Sequence, residues 1–563
     1  MSSSTHKADC LTKQEKRKAQ EEALRGVLAL SFASEENVLR LPLAQIVDSC
    51  TIGEISPSTV RDVFLRQALK AHAATNCIAE FLPNNSATPR EKDTRPFLGV
   101  PISIKDTCNY EGTDSTLGYS CNVNKPASSH SVIAQMLLDA GATLHVKTTV
   151  PTGLLALETD SDLYGYCTNP YNPGFTSGAS TGGGAALLAY GGSKIEIGTD
   201  FGGSVRMPAH FNGLYSIKAS HGRFPETGMV SFCPGLQGIP LVTSPMAQNL
   251  DDLIEFCRRF VDLKPWTQCH TCVPVPWRPV EFGASANRKL RFGVVWSDGI
   301  TTPTPACRRA LQLVVDALKD QGHYVVDYDP PSLLHGTSLA LQIAFCAGSP
   351  TLRPLRKGES INEATVKGNF LQNLPNFVRR GMAWMLRNYS SPAGRNDDWA
   401  TLLEGFGMCA SIDEERALFA KKDIYLAEWN KSLNENNLDF ILALPFPTPA
   451  IPKNSTEKAT FMSAAGCFIY NFLDYSAGCM PVTFVDKDID SLPTDFKFSK
   501  EYDHMNDITR ALHELYDADA MNGLPVGVQV IGRRLEEEKV LAGMKVIKEA
   551  LFASGTVFTP KEF

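Results

Sequence analysis

From Phe97 onward, short β-rich runs alternate with runs whose apolar residues recur at helical spacing, and this alternation limits the folds open to the chain. The β-rich runs are LGVPISIKD, ATLHVKTTV and KIEIGTD, and the helical runs between them are HSVIAQMLLDAGA and GGGAALLAYGG. Strands that alternate with helices in this way form a sheet whose helices pack on its faces. The sequence therefore predicts an α/β fold.

The segments on either side extend this prediction. Residues 13–30 have the pattern of a charged amphipathic helix, and Ser56 followed by Pro57 predicts the start of another helix. We therefore expect residues 1–75 to form a helical layer packed on the core. Beyond a proline-rich connector at 260–286, the sequence predicts a strand in LRFGVVWSD, a helix and strand in TPACRRALQLVVDALKDQGHYVVDYD, mainly helices over 350–435, and a last strand and helix in PVGVQVIGRRLEEEKVLAGMKVIKEALF.

Composition excludes several classes of protein. The net charge of the 563 residues is −7, and we expect no nucleic-acid partner because the chain has no basic excess. Hydrophobic residues make up 43% and charged residues 20%, which is typical of a globular protein. The N-terminus lacks the pattern of a secretory signal, and every apolar stretch is shorter than the ~20 residues that span a bilayer. We expect a soluble, cytoplasmic protein without a transmembrane segment.

The fifteen cysteines are scattered through this long chain, and in that setting we expect most of them to be reduced, buried side chains. Cys269 and Cys272 form a CxxC pair around His270. A second pair at zinc-ribbon spacing is missing, and the residues that follow are a proline-rich loop. We therefore expect neither a metal site nor a redox centre at this pair.

Glycine is concentrated in residues 174–204, which read GFTSGASTGGGAALLAYGGSKIEIGTDFGGS. Such density lets the backbone approach another backbone or a ligand closely. A phosphate-binding loop is disfavoured, because neither GxxxxGK[ST] nor GxGxxG is present. Two interpretations remain open from the residues alone. The window is either a tight turn in which Ser180 and Ser204 cap backbone groups, or a nucleophile with its oxyanion hole.

A serine nucleophile needs a base within hydrogen-bonding distance. Ser204 follows a strand-like run, and Gly202 and Gly203 leave successive N–H groups able to converge on an oxyanion. His210 and His221 both lie in contexts typical of structural histidines. Lys105 ends the apolar run GVPISIK, where burial would disfavour its charged form, although a surface lysine at a strand end is the alternative.

Three motifs together decide between these alternatives: GVPISIKD (99–106), GASTGGG (178–184) and GTDFGGSVRMPAHFNGLYSIKAS (198–220). In this order and spacing they resemble the amidase signature family of serine hydrolases. The likeness continues to GLPVGVQVIGRRLEEEKVL at 523–541, and LDYSAGCMPVTFVD at 473–486 resembles a late, substrate-side segment of that family. The resemblance implies one large domain, with a central mixed, twisted sheet covered by helices on both faces. Its catalytic part would be residues 76–563, with a signature core at about 97–225.

The resemblance also implies roles for individual residues. Ser204 would be the nucleophile, Ser180 the bridging serine and Lys105 the base. The remaining implied roles are N–H donors to the oxyanion at Phe201, Gly202, Gly203 and Ser204, loop-bracing side chains at Thr199, Asp200 and Arg206, a cis peptide bond between Ala179 and Ser180, and an acyl-pocket position at Leu154. The family's common GGSSGG is changed here to Gly178-Ala179-Ser180-Thr181-Gly182-Gly183, which keeps the serine hydroxyl.

The implied activity is hydrolysis of a small-molecule carboxylic amide through an acyl-enzyme, without a metal or cofactor. Within enzymes, the alternatives are an esterase or a specialised amide hydrolase of a secondary-metabolite or fatty-amide pathway. From other classes, the alternatives are a partner-dependent subunit resembling an amidotransferase component and a binding protein that has lost activity. A homodimer is also left open. For NFVRRGMAWMLRN (376–388) we expect a helix with its apolar side packed inward, with a membrane contact or a substrate lid as alternatives.

Overall fold

The computed structural model describes residues 3–28, 35–282, 288–346, 354–389, 397–407, 409 and 411–563. The strands, in chain order, are β1 Ile78–Phe81, β2 Pro101–Lys105, β3 Thr143–Thr148, β4 Ile195–Asp200, β5 Tyr215–Lys218, β6 Val242–Ala247, β7 Arg291–Val294, β8 Tyr324–Asp327, β9 Phe440–Ala443, β10 Ala477–Phe484 and β11 Pro525–Ile531. All eleven belong to one sheet, in the order β1-β3-β2-β4-β6-β5-β10-β11-β9-β7-β8.

The helices surround this sheet. In chain order they are α1 Ser3–Leu28, α2 Glu35–Arg40, α3 Leu43–Thr51, α4 Pro57–Thr75, α5 Val132–Asp139, α6 Gly182–Ala189, α7 Arg206–Asn212, α8 Leu250–Asp262, α9 Pro305–Asp320, α10 Leu333–Phe345, α11 Glu363–Asn373, α12 Asn376–Tyr389, α13 Asp397–Gly405, α14 Ile412–Glu435, α15 Ala465–Phe472, α16 Lys487–Asp490, α17 Lys500–His504, α18 Asp507–Leu515 and α19 Glu537–Ala553. None of the described helices is both long and apolar enough to cross a membrane.

The sheet is mixed, as predicted. β2 runs parallel to both β3 and β4, and β7 runs parallel to β8 and β9, whereas the other neighbouring pairs are antiparallel. Strand β4 shows how both faces are covered. Its Glu196 face contacts α6, while Ile195 and Ile197 on the opposite face belong to the main apolar core, which also includes residues of α8. The prediction of one large α/β domain with helices on both faces is confirmed.

At the N-terminus, α1 begins at Ser3, earlier than the predicted start at residue 13, and packs against β1 and α4. Its Lys13 is buried and donates hydrogen bonds to Glu80 at 2.6 Å and Asp114 at 3.1 Å. The helix predicted after Ser56 is confirmed, and the Ser56 side chain accepts a hydrogen bond from the Thr59 N–H. The division of the chain at residue 75 stays a prediction.

The segment at 376–388 forms α12, but the expected inward packing of its apolar side is wrong for three residues. Phe377, Trp384 and Met385 are 78%, 55% and 52% exposed. The buried positions of this helix are instead taken by Arg379 and Ala383. Arg379 donates to main-chain oxygens at the end of α11, so its charge faces carbonyl dipoles rather than water. Ala383, Met382 and Leu386 do pack inward, in an apolar cluster with α13, so the expectation holds for part of the apolar side only.

Candidate active site

Two parallel strand ends and two helix starts bring the predicted site residues together. Lys105 is the last residue of β2, and Asp200 is the last residue of the parallel neighbour β4. Parallel strands present their carboxyl ends at the same edge of a sheet. Ser180 lies just before α6, and Ser204 lies just before α7. The side chains of Ser180 and Ser204 face one cavity at this edge.

Lys105 is completely buried, so the alternative of a surface lysine is wrong. Its Nζ lies 2.8 Å from Ser180 Oγ, 3.0 Å from Thr199 Oγ1 and 3.3 Å from the Thr199 carbonyl oxygen. Burial lowers the pKa of Lys105 to about 7, while the negative charges of Asp200 and Glu196 oppose this shift. At pH 7, about half of the molecules therefore carry Lys105 as the uncharged amine, which can accept a proton.

Ser180 follows a cis peptide bond from Ala179, as the sequence resemblance implied. The segment before it is anchored to a neighbouring loop, because Thr159 Oγ1 donates a 2.7 Å hydrogen bond to the Gly178 carbonyl oxygen. The segment after it is anchored to the second serine, because the Thr181 N–H donates a 3.1 Å hydrogen bond to the Ser204 carbonyl oxygen. Replacement of the family's Gly and Ser by Ala179 and Thr181 therefore leaves Ser180 next to both Lys105 and the Ser204 loop.

Asp200 and Arg206 brace the loop that carries Ser204. Both are completely buried and form an ion pair at 3.0 Å, so the alternative of a surface ion pair is wrong. Burial alone would raise the pKa of Asp200, but Arg206 and Asn471 hold it below its usual range. Arg206 also donates to Asn471 Oδ1 and to Gln529 Oε1. A buried guanidinium needs several acceptors, and here the strand end and two distant segments supply them.

The backbone N–H groups of this loop differ in their partners. The Gly203 N–H donates a 2.8 Å hydrogen bond to Asp200 Oδ1, and the Val205 N–H donates to Asp200 Oδ2 at 3.1 Å. Within the described part of the chain, the N–H groups of Phe201, Gly202 and Ser204 have no protein acceptor. Of the four donors expected from the sequence, Gly203 is therefore already paired, and the other three are open to a ligand.

The cavity beside Ser204 encloses roughly 610 Å³, including its open mouth. Its wall is built from apolar side chains that come from several segments, among them Leu154, Leu157, Met207, Phe232, Phe345 and Phe468. No charged side chain lines it within the described residues. Leu154, which was expected from the sequence, lies in this wall. The segment at 473–486, expected on the substrate side, contains the whole of β10 in the sheet instead, and the preceding helix α15 supplies Phe468 to the cavity wall.

Other candidates from the sequence lie outside this arrangement. His210 is completely buried and its ring nitrogens lie within hydrogen-bonding distance of backbone groups of Gly527 and Thr448, and His221 pairs with Glu226. Cys269 and Cys272 are free thiols in the loop after α8. Sequence reasoning missed Asn471 and Gln529, which contact Arg206. Asn471 lies outside the motifs, and Gln529 lies in the 523–541 segment, to which no role was assigned.

Comparisons with known proteins agree with this geometry. A family model described as Amidase matches residues 60–541. The chain is 31% identical to an acetamidase of Aspergillus oryzae over 525 aligned residues. The aligned region covers 90% of this chain and 89% of that protein. It is 30% identical over 533 residues to fatty-acid amide hydrolase 1 of Sus scrofa, covering 92% and 87% of the two chains. A solved structure of a fatty acid amide hydrolase superposes with a TM-score of 0.78 at 25% identity, over 96% of this chain and 90% of that one.

Proposed function

This chain belongs to the amidase family and is an amide hydrolase, and from that premise we propose that it cleaves its substrate through an acyl-enzyme on Ser204. Ser180 and Lys105 form the proton relay in this proposal. The observation that carries it is the 2.8 Å contact between Ser180 Oγ and the completely buried Lys105 Nζ, at the wall of a cavity that Ser204 also lines.

Acylation begins with proton transfer. Neutral Lys105 accepts a proton from Ser180 as Ser180 takes the proton of Ser204, and Ser204 Oγ attacks the amide carbonyl carbon. The carbonyl oxygen becomes an oxyanion, and the unpaired N–H groups of Phe201, Gly202 and Ser204 are the donors that stabilise it. Gly203 has a different role here, because the hydrogen bond from its N–H to Asp200 Oδ1 fixes the shape of the loop.

Breakdown of this intermediate returns the proton. It passes from Lys105 through Ser180 to the departing nitrogen, the C–N bond breaks, and ammonia or an amine leaves while Ser204 keeps the acyl group. Water then attacks the ester, with the same relay removing its proton. The acid is released and the Ser204 hydroxyl is restored. Lys105 can both accept the proton from Ser180 and return it, because its lowered pKa of about 7 lies close to neutral pH.

The cavity supports an amide with an uncharged, apolar acyl group as the substrate. A charged acyl chain would lose its hydration without gaining a partner in the apolar wall. A chain of methylenes or an aromatic ring would gain by leaving water. We place this reaction in the cytoplasm, and the fifteen free thiols support a reducing compartment.

The test is hydrolysis by the purified chain alone, measured as acid and ammonia released from a panel of short, aromatic and long-chain amides. We expect Ser204→Ala to abolish turnover, and Ser180→Ala and Lys105→Ala to reduce kcat by at least ~10². Ser193→Ala, which removes a buried hydroxyl bonded to the Ile195 carbonyl oxygen, is the matched control and should retain activity. Turnover by Ser204→Ala, or activity only after a partner protein is added, would contradict the proposal.

A further inference from the structure

Glu196 is a buried carboxyl group that the mechanism above does not use. It is the second residue of β4 and is 0% exposed. Its register partner across β2 is Ser103, two residues before Lys105, and Thr148 on β3 is the register partner of Lys105. Since side chains two residues apart share a face, Glu196 and Lys105 lie on the same face of neighbouring strands.

One carboxylate oxygen of Glu196 is held and the other is not. Thr148 Oγ1 donates a 2.7 Å hydrogen bond to Oε1. The nearby Ser103 hydroxyl also lowers the pKa of the carboxyl group, but it donates to the Ile195 carbonyl oxygen at 3.3 Å, and Oε2 has no hydrogen-bond partner among the described residues. Gly184 on α6 leaves room for the group, because a Cβ at this position would lie 2.3 Å from Glu196 Cδ. An incompletely paired carboxyl group is costly in a closed core, so its place beside Lys105 calls for a function.

The charged and titratable neighbours of Glu196 are few. Lys105 faces it from β2, and the Cys77 and Cys108 thiols also interact with it. Burial raises the pKa of both thiols, to about 11 for Cys108, so both are neutral at neutral pH. Asp200 acts on Lys105 too, but its charge is already paired with Arg206. The partner of Glu196 whose charge changes during turnover is therefore Lys105.

We propose that Glu196 is a positioning residue that sets the proton affinity of Lys105, with its carboxylate favouring the ammonium form that arises when Lys105 takes a proton from Ser180. This inference rests on the proposed function, because it requires Lys105 to act as the base. Burial raises the pKa of Glu196 and lowers that of Lys105, while the charge of each group acts against the shift of the other, so the two groups titrate as a coupled pair. Loss of the carboxylate charge leaves Lys105 a weaker base.

The test is the pH dependence of kcat/KM for Glu196→Gln, which keeps the shape of the side chain and removes its charge. We expect the acid limb of the profile to move about one pH unit lower, and the plateau above it to fall several-fold. Thr148→Val should move the limb in the same direction by less, because a carboxylate without its donor is protonated more readily. Melting temperatures establish that each variant folds. If Glu196→Gln fails to fold, the shift of the acid limb in Thr148→Val decides the test.

Glu537→Gln is the matched control. Glu537 is also buried, and its Oε2 likewise accepts no hydrogen bond among the described residues. Its Oε1, however, accepts hydrogen bonds from Ser220 and Ser476, and its Oε2 forms an ion pair with Arg223 at 3.6 Å. The acid limb of the pH profile of Glu537→Gln should coincide with that of the wild type. An unmoved or more alkaline limb in Glu196→Gln, or an equal shift in Glu537→Gln, would overturn the role of Glu196. Turnover that survives Ser204→Ala would instead overturn the proposed function, so the two failures are distinguishable.

Discussion

Lengthening the acyl chain of a primary amide should raise kcat/KM until the cavity beside Ser204 is filled. The wall of that cavity is apolar, and both Ser180 and Ser204 lie in it, so an acyl group attached to Ser204 would contact this wall. Each methylene that leaves water for such a wall contributes about 0.8 kcal/mol, which is roughly a fourfold gain in kcat/KM. Hexanamide has four more methylenes than acetamide, and the expected gain between them is therefore about 3 kcal/mol, or roughly 200-fold.

A charged chain of similar length gives the opposite expectation. The carboxylate of succinamic acid would be buried without a partner, and this should cost at least ~3 kcal/mol, or about a hundredfold in kcat/KM relative to butanamide. The assay is the initial rate of ammonia release over a series of unbranched primary amides, with Ser204→Ala as the background. A flat dependence on chain length, a preference for acetamide, or efficient cleavage of succinamic acid would refute the inference from the cavity wall.

Asp200→Asn should destabilise the protein by about 3–5 kcal/mol, because it leaves the buried Arg206 guanidinium without its counter-charge. Thermal unfolding of Asp200→Asn and the wild type measures this loss, and equal melting temperatures would contradict it. In the wild type, kcat/KM should fall about tenfold per pH unit below pH about 7, as Lys105 becomes ammonium, and a flat acid profile would exclude Lys105 as the base. Stability should decline as the pH falls from 6.5 towards about 4, because burial lowers the pKa of His210 to about 4 and only the unfolded chain takes up the proton in that window. His210→Gln should flatten this dependence of the melting temperature on pH, and an unchanged slope would assign it to other groups.

The parts of the site that the sequence predicted are local. Lys105, Ser180 and Ser204 each lie in a short motif whose residue types carry chemistry, and the alternation of strands and helices places them at one sheet edge. The burial of Lys105 was foreseeable from the apolar, β-branched run before it. Its 2.8 Å contact with Ser180 was not, because that distance depends on the packing of α6 against β4.

The parts that the sequence did not predict depend on contacts between distant segments. Asn471 and Gln529 lie far along the chain from Arg206, and each lies in an ordinary apolar helix or strand. Glu196 is one polar residue within KIEIGTD, where an edge strand with a solvated face would show the same pattern. Its burial became evident only when β4 was placed between β2 and β6. The cavity wall likewise joins segments that no local pattern connects.

The most direct test of the central claim is the site at which a fluorophosphonate reacts with the purified protein. The reagent forms a covalent bond with an activated serine oxygen and releases fluoride, so peptide mass spectrometry identifies the nucleophile. We predict one adduct, on Ser204, which is absent in Ser204→Ala and forms more slowly in Lys105→Ala and Ser180→Ala. An adduct on another residue, or labelling that persists in Ser204→Ala, would contradict the acyl-enzyme mechanism.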